Sequence, residues 1–108
     1  MSACIVGWEH LKFGRHDELD IEDMIVEVAS GAIRDAGVEP KDIDAIYLGT
    51  FGGGFVQQEF PASLVLQASD HLRFKPATHV ENACATGSAA LYQGLNNIAA
   101  KKSRIVLV

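Results

Sequence analysis

Apolar residues along this chain recur at two periods, and the switches between them mark its elements. The opening run Ala3-Cys4-Ile5-Val6-Gly7 is short, apolar and β-prone, and predicts a buried strand. Trp8 to Glu18 is polar and irregular, broken at Gly14. From Ile21 the period turns helical: Ile21, Met24, Ile25, Val28, Ala29, Ala32, Ile33 and Ala36 recur at steps of three and four. Asp20 offers an N-cap with Asp23 three residues on. Gly37 offers a C′ residue, and Pro40 follows. One long amphipathic helix is predicted between them.

Ile43 to Leu48 reads as a second strand, closed by Gly49. Gly52-Gly53-Gly54 then give the backbone wide φ/ψ freedom. There is no GxGxxG and no following Lys-Ser/Thr, so a flexible connection or interface segment is the better reading than a phosphate cradle. Pro61 suits the first turn of a helix, in which Ala62, Val65, Leu66, Ser69 and Leu72 recur at helical spacing. Thr78 to Val80 is a third strand. A third helix follows from about Cys84 to Lys101, small or apolar nearly all round, as expected of a helix buried between layers. Arg104 to Val108 is a strongly β-prone fourth strand, and the sequence stops inside it without a polar cap. That ending predicts one piece of a larger assembly.

The alternation of strand and helix predicts an α/β fold with a mostly parallel sheet and right-handed crossovers. The 108 residues suffice for one domain, 1–108. With 48% hydrophobic residues the chain can bury a core. A net charge of −5, with basic residues scattered apart from Lys101-Lys102, leaves no stripe to neutralise phosphates, so no nucleic-acid partner is expected. No apolar run is long enough for a membrane span, and the N-terminus lacks the basic lead of a signal peptide. Two cysteines make no disulfide framework, and reduced thiols in the cytoplasm are expected. The four histidines lie at no metal-site spacing.

The candidate chemistry lies at Cys84. The segment Glu81-Asn82-Ala83-Cys84-Ala85-Thr86-Gly87-Ser88 places it on a strand-to-helix turn. There the first backbone N–H groups of the helix lack intrahelical partners. These donors and the helix dipole favour a thiolate and can hold a developing oxyanion. A covalent nucleophile is one reading; a buried structural cysteine is the plainer one. A helix N-terminus contributes only roughly 0.3–1 kcal/mol to a charge, so a neighbouring base or cation is needed to activate a thiol fully. His79 is close in sequence, but a satisfied structural histidine is the commoner outcome. Asn82 is expected to orient the turn through its own backbone, and Thr86 and Ser88 to bond back to helix carbonyls. Gly87 is expected to permit close packing. Cys4 is expected in the core. Trp8, Phe51, Phe55 and Phe60 either line a ligand pocket or are scattered core and interface aromatics.

The stretch Asn82 to Ala90 resembles the active-site cysteine segment of thiolases. Three further stretches are similar in collinear order. They are Ile5-Val6-Gly7 through Lys12-Phe13-Gly14-Arg15, Gly54-Phe55-Val56 to Phe60-Pro61-Ala62, and the closing Arg104 to Val108. The resemblance is closest to the sterol-carrier, lipid-transfer type. It implies a thiolase-like half domain, layered α/β/α, truncated after its fourth strand. It also implies that Cys84 takes the acyl group of acyl-CoA as a thioester, in Claisen condensation or in thiolysis of 3-ketoacyl-CoA. Coenzyme A enters as part of the substrate, and no resident cofactor or metal is expected. The histidine and second cysteine of the second thiolase half are absent, so the general base is expected from a chain supplying that half. Thr78 to Val80 maps onto the strand through which thiolases pair, which implies a homo-oligomer. Other condensing enzymes, such as 3-ketoacyl or hydroxymethylglutaryl-CoA synthases, share the fold and the cysteine. A non-catalytic interaction subunit of the same fold is the alternative from a different class.

Overall fold

Local chemistry sets where the first helix starts and stops. Helix α1 spans Ile21–Ala36. Asp20 Oδ1 accepts the backbone N–H of Asp23 at 2.8 Å, and Asp23 Oδ2 accepts that of Asp20 at 3.1 Å, a reciprocal capping box. At the other end Gly37 takes φ 68°, ψ 26°, a conformation that costs glycine no Cβ clash, and donates to Arg34. Ile25, Ala29 and Ile33 are buried along one stripe. The computed structural model describes residues 2–52 and 57–108. Gly53, Gly54, Phe55 and Val56, part of the glycine-rich segment, lie outside the described residues.

Three parallel strands form the sheet among the described residues: β1 (Ala45–Gly49), β2 (Ala77–Val80) and β3 (Val106–Leu107), in the order β2-β1-β3. β1 is central. Its residues alternate between faces, as a pleated strand requires. Ile46 and Leu48 join Ile25, Ile33, Ile43, Val65 and Leu72 in one core. Tyr47 and Gly49 face the other way, onto helix α2 (Thr86–Ala99). The result is the expected α/β/α layering on a parallel sheet.

Asp44 joins the two ends of the chain's central layer. Its Oδ2 accepts the backbone N–H groups of Arg104 at 2.7 Å and Ile105 at 3.2 Å, while its own N–H donates to Ile105 at 2.9 Å. β1 and β3 are thereby locked in register just before their pairing begins.

Several expectations change. Ala3–Gly7 is not a strand: it runs along α1 outside the sheet, with Ile5 79% exposed and Cys4 exposed rather than in the core. The Trp8 N–H donates to Asp35, and a Cβ at Gly7 would lie 2.5 Å from the Ala36 nitrogen. A β-prone run becomes a strand only where a neighbour can pair with it, and no sheet edge of the described residues reaches this one. The described sheet therefore has three strands instead of four. The Pro61–Leu72 stretch is helical but tighter than expected, two 3₁₀ segments, Pro61–Ala68 and Asp70–Leu72. Ser69 separates them in extended backbone, its hydroxyl accepting from the N–H of His71. α2 buries only Thr86, Ala90 and Gly94, four residues apart on the stripe that meets the sheet. Leu91, Tyr92 and Leu95 are exposed, so the helix is covered on one side and not between layers. An apolar cavity of about 460 Å³ lies between residues 3–9, α1, α2 and β3.

The two backbone N–H groups on Asp44 hold its carboxyl below the usual carboxylate range, against a smaller opposing effect of burial; Lys75 and Arg104 add to the lowering. A lowered native pKa gives stability that is present above the unfolded value and is lost as pH falls through the native one. Asp44→Ala is expected to cost about 1 kcal/mol at pH 7, a charge-assisted bond discounted for partial exposure. Urea unfolding at pH 7 and at pH 3 checks it: the gap between the two proteins should narrow at the lower pH.

Candidate active site

Parallel strands deliver their C-terminal ends to one edge of a sheet, which in open α/β folds is where ligand chemistry gathers. Here β1 ends at Gly49-Thr50 and β2 at Val80, and the N–H of Thr50 bonds Val80 at 3.3 Å across the two ends. Beyond Val80 the chain passes Glu81 and Asn82, turns through Ala83–Ala85 in a single 3₁₀ turn, and enters α2 at Thr86. Cys84 stands on that turn and is exposed. The buried structural role is thereby set aside for this thiol.

The turn has an unusual backbone. Ala83 has φ +47°, the left-handed region that residues with a Cβ seldom enter. Around it sits a set of hydrogen bonds. The N–H of Asn82 donates to Thr86 Oγ1 at 2.8 Å, and the Thr86 hydroxyl donates to the carbonyl of Ala83 at 2.7 Å. The N–H of Ala85 bonds the Asn82 carbonyl at 2.9 Å, and that of Ala83 bonds Glu81 Oε1 at 3.1 Å. Thr86 therefore bonds back to a carbonyl, as expected of its residue type. Asn82 differs: its backbone takes part in the turn, while its side chain makes no capping bond. The side-chain bonds of the turn come from Thr86 and Glu81 instead.

Glycine placement also differs from expectation. A Cβ on Gly87 would meet nothing within 4 Å, so close packing is not its role. Around α2 the close approaches are at Gly49 and Gly94. A Cβ on Gly49 would lie 2.7 Å from Thr86 Cγ2 and 3.2 Å from the Thr86 carbonyl oxygen. One on Gly94 would lie 2.9 Å from Val108. The bare backbone of Gly49 is what lets the first turn of α2, and the Cys84 turn before it, settle onto the end of β1.

His79 lies on β2 with its Nε2 2.7 Å from Thr50 Oγ1. That ring nitrogen is thus engaged by the residue that follows β1, the satisfied state expected of it. Trp8 is 69% exposed and lines the apolar cavity, whose lining does not include Cys84. Phe51 and Phe60 are exposed, so none of these three is a core aromatic. Phe55 lies outside the described residues. No cluster of metal-binding side chains occurs among the described residues. The residues that sequence reasoning missed are Ala83, whose type carries no signal for its conformation, and Gly49, which reads only as a strand stop.

The family model for the thiolase N-terminal domain matches residues 3–108. The chain is 43% identical over 107 residues to an acetyl-CoA acetyltransferase of Methanocaldococcus jannaschii, covering 98% of this chain and 27% of that protein. It is 41% identical over 108 residues to an acetyl-CoA acetyltransferase of Methanothermobacter thermautotrophicus, covering 97% and 27%. Among solved structures, the acetyl-CoA acetyltransferase from Syntrophomonas wolfei superposes with a TM-score of 0.79 at 25% identity, over 94% of this chain and 26% of that one. The 3-oxoacyl-[acyl-carrier-protein] synthase III from Aquifex aeolicus gives 0.69 at 28% identity, over 83% and 29%. The chain spans about a quarter of the length of these relatives.

Gly49→Ala is expected to destabilise the chain by about 1–3 kcal/mol, because the new Cβ collides with a buried β-branched side chain and a carbonyl rather than with a flexible tip. Gly87→Ala, with open space around it, is expected to be neutral or slightly stabilising. Paired urea titrations measure the contrast.

Proposed function

The chain belongs to the thiolase family, and on that premise we propose that Cys84 is the acyl acceptor of an acyl-CoA acyltransferase. The Cys84 thiolate attacks the thioester carbonyl of acyl-CoA. A bond forms between Sγ and the acyl carbon, the bond from that carbon to the CoA sulfur breaks, and CoA leaves as the thiol after taking a proton. The acyl group then passes to the α-carbon of a second CoA ester, which gives up a proton to the base, a Claisen condensation that frees the Cys84 thiolate. In thiolysis Sγ instead attacks the 3-keto carbon of a 3-ketoacyl-CoA, the C2–C3 bond breaks, acetyl-CoA leaves after its α-carbon takes a proton, and the acyl group passes to CoA. The observation that carries this reading is the exposed cysteine on a constrained turn at the C-terminal ends of parallel strands, directly before a helix. The names of the relatives, acetyl-CoA acetyltransferases, support acetyl-CoA as a substrate. Among the described residues no base is bonded to the thiol, and His79 is engaged by Thr50. In this reading the activating base belongs to a second thiolase half that pairs with this one.

Likeness to a 3-oxoacyl-[acyl-carrier-protein] synthase III keeps a condensing enzyme of the same fold as the second reading. It shares the step at Cys84 and differs in the acyl carrier. β2 is an edge strand of the described sheet, and its free side supports self-association. Two free, exposed thiols fit a reducing compartment such as the cytoplasm.

Incubation with acetyl-CoA followed by peptide mapping tests the central step. An acetyl group on the Cys84 peptide, lost in Cys84→Ala and released by hydroxylamine, is the expected result; labelling confined to Cys4 would sink the reading. Light scattering tests association, with a mass of two chains or more expected. A monodisperse single chain at working concentration would contradict pairing through β2.

A further inference from the structure

We propose that Thr86 is a positioning residue, whose hydroxyl holds the strained turn that presents Cys84; this rests on the reading of Cys84 as the acyl acceptor. A residue with a Cβ in the left-handed region is strained and persists only where its surroundings over-determine it. At Ala83, with φ +47°, the surroundings are specific. One hydroxyl accepts from the N–H of Asn82 and donates to the carbonyl of Ala83. The Ala83 carbonyl lies in the peptide just after the strained residue and the Asn82 N–H in the peptide just before Asn82, so the hydroxyl spans Asn82 and Ala83 together. The Ala83 carbonyl belongs to the peptide that carries the Cys84 Cα, so fixing it fixes the direction in which Cys84 leaves the backbone. An ordinary hydroxyl at this helical position needs only the bond back to a carbonyl. The second bond, from Asn82, turns it into a bridge.

The bridge is itself anchored. Thr86 is 7% exposed, the buried polar residue of the described core, and its methyl lies over Gly49. The other bonds of the turn do not substitute for it. The Ala85 to Asn82 bond closes any 3₁₀ turn whatever the side chains. The Glu81 contact hangs on an exposed carboxylate. Thr86 thus has two separable parts: a methyl that seats the helix and a hydroxyl that sets the turn.

Substitution separates them. Thr86→Val keeps the methyl and removes both hydrogen bonds; Thr86→Ser keeps the hydroxyl and removes the methyl. The measurement is the rate of iodoacetamide alkylation at Cys84 relative to Cys4, an internal reference far along the chain, read by peptide mapping. Thr86→Val is expected to change that ratio by roughly tenfold or more, as expected when a reacting atom is misplaced, and to speed amide exchange at Asn82. Thr86→Ser is expected to keep the wild-type ratio. Adding Ala83→Gly to Thr86→Val is expected to restore it, since glycine needs no clamp to hold that φ. An unchanged ratio in Thr86→Val, or an equal loss in Thr86→Ser, overturns the proposal. Should Val at this position unfold the chain, the Ala83→Gly background decides: recovery of fold and ratio supports the clamp, and failure of either overturns it. Absence of acetyl transfer to wild-type Cys84 would instead remove the acyl-acceptor reading, a separate result from these ratios.

Discussion

The first turn of α2 rests directly on the end of β1, and the rest of the site depends on that contact. It exists because Gly49 offers bare backbone where a side chain would collide with Thr86. The geometry then leaves little room. The chain leaves the edge strand β2 at Val80 and must be seated over the central strand by Thr86. Across that change of direction one residue takes up the left-handed conformation. The cost falls on Ala83, and the compensation comes from hydrogen bonds within the same six residues. Strain that sits beside a chemical group and is held by its immediate neighbours is a recurrent mark of functional turns.

How much of this was legible from the residues follows from how local each cause is. α1 was readable to its ends because its apolar stripe, capping box and C-terminal glycine all lie within the helix or beside it. Ala3–Gly7 was not, since β propensity describes fitness for a pleated surface and says nothing about whether a partner is present. The Pro61–Leu72 stretch carried the right apolar spacing. Steps of three serve a 3₁₀ segment as well as an α-helix, though, and Ser69 breaks the run by capping His71. At the site, the cysteine and its neighbouring hydroxyl could be picked out by type. The left-handed alanine could not, because alanine has no preference for that region. Nor could the sequence distinguish Gly49 and Gly94, which touch other elements, from Gly87, which faces open space.

One asymmetry runs through the whole molecule. The face of the sheet that carries α1 closes into a core around Ile46 and Leu72. The face that carries α2 leaves Leu91, Tyr92 and Leu95 exposed, and the apolar cavity beside β3 reaches both α2 and the α1 side of the core. The relatives are about four times as long as this chain. The half-covered face and the constrained turn that presents Cys84 thus lie in the same quarter of the relatives' length.

That same unevenness governs how the molecule will look to a spectroscopist. The sequence holds a single tryptophan, Trp8, and it sits at the outer rim of the cavity already in contact with water. Its emission in the folded chain will resemble that of free indole, so intrinsic tryptophan fluorescence is nearly blind to unfolding. Tyr47 is the better witness. Half-buried and joined to Asn97 at 2.8 Å, it lies between β1 and α2 and changes surroundings when those layers part.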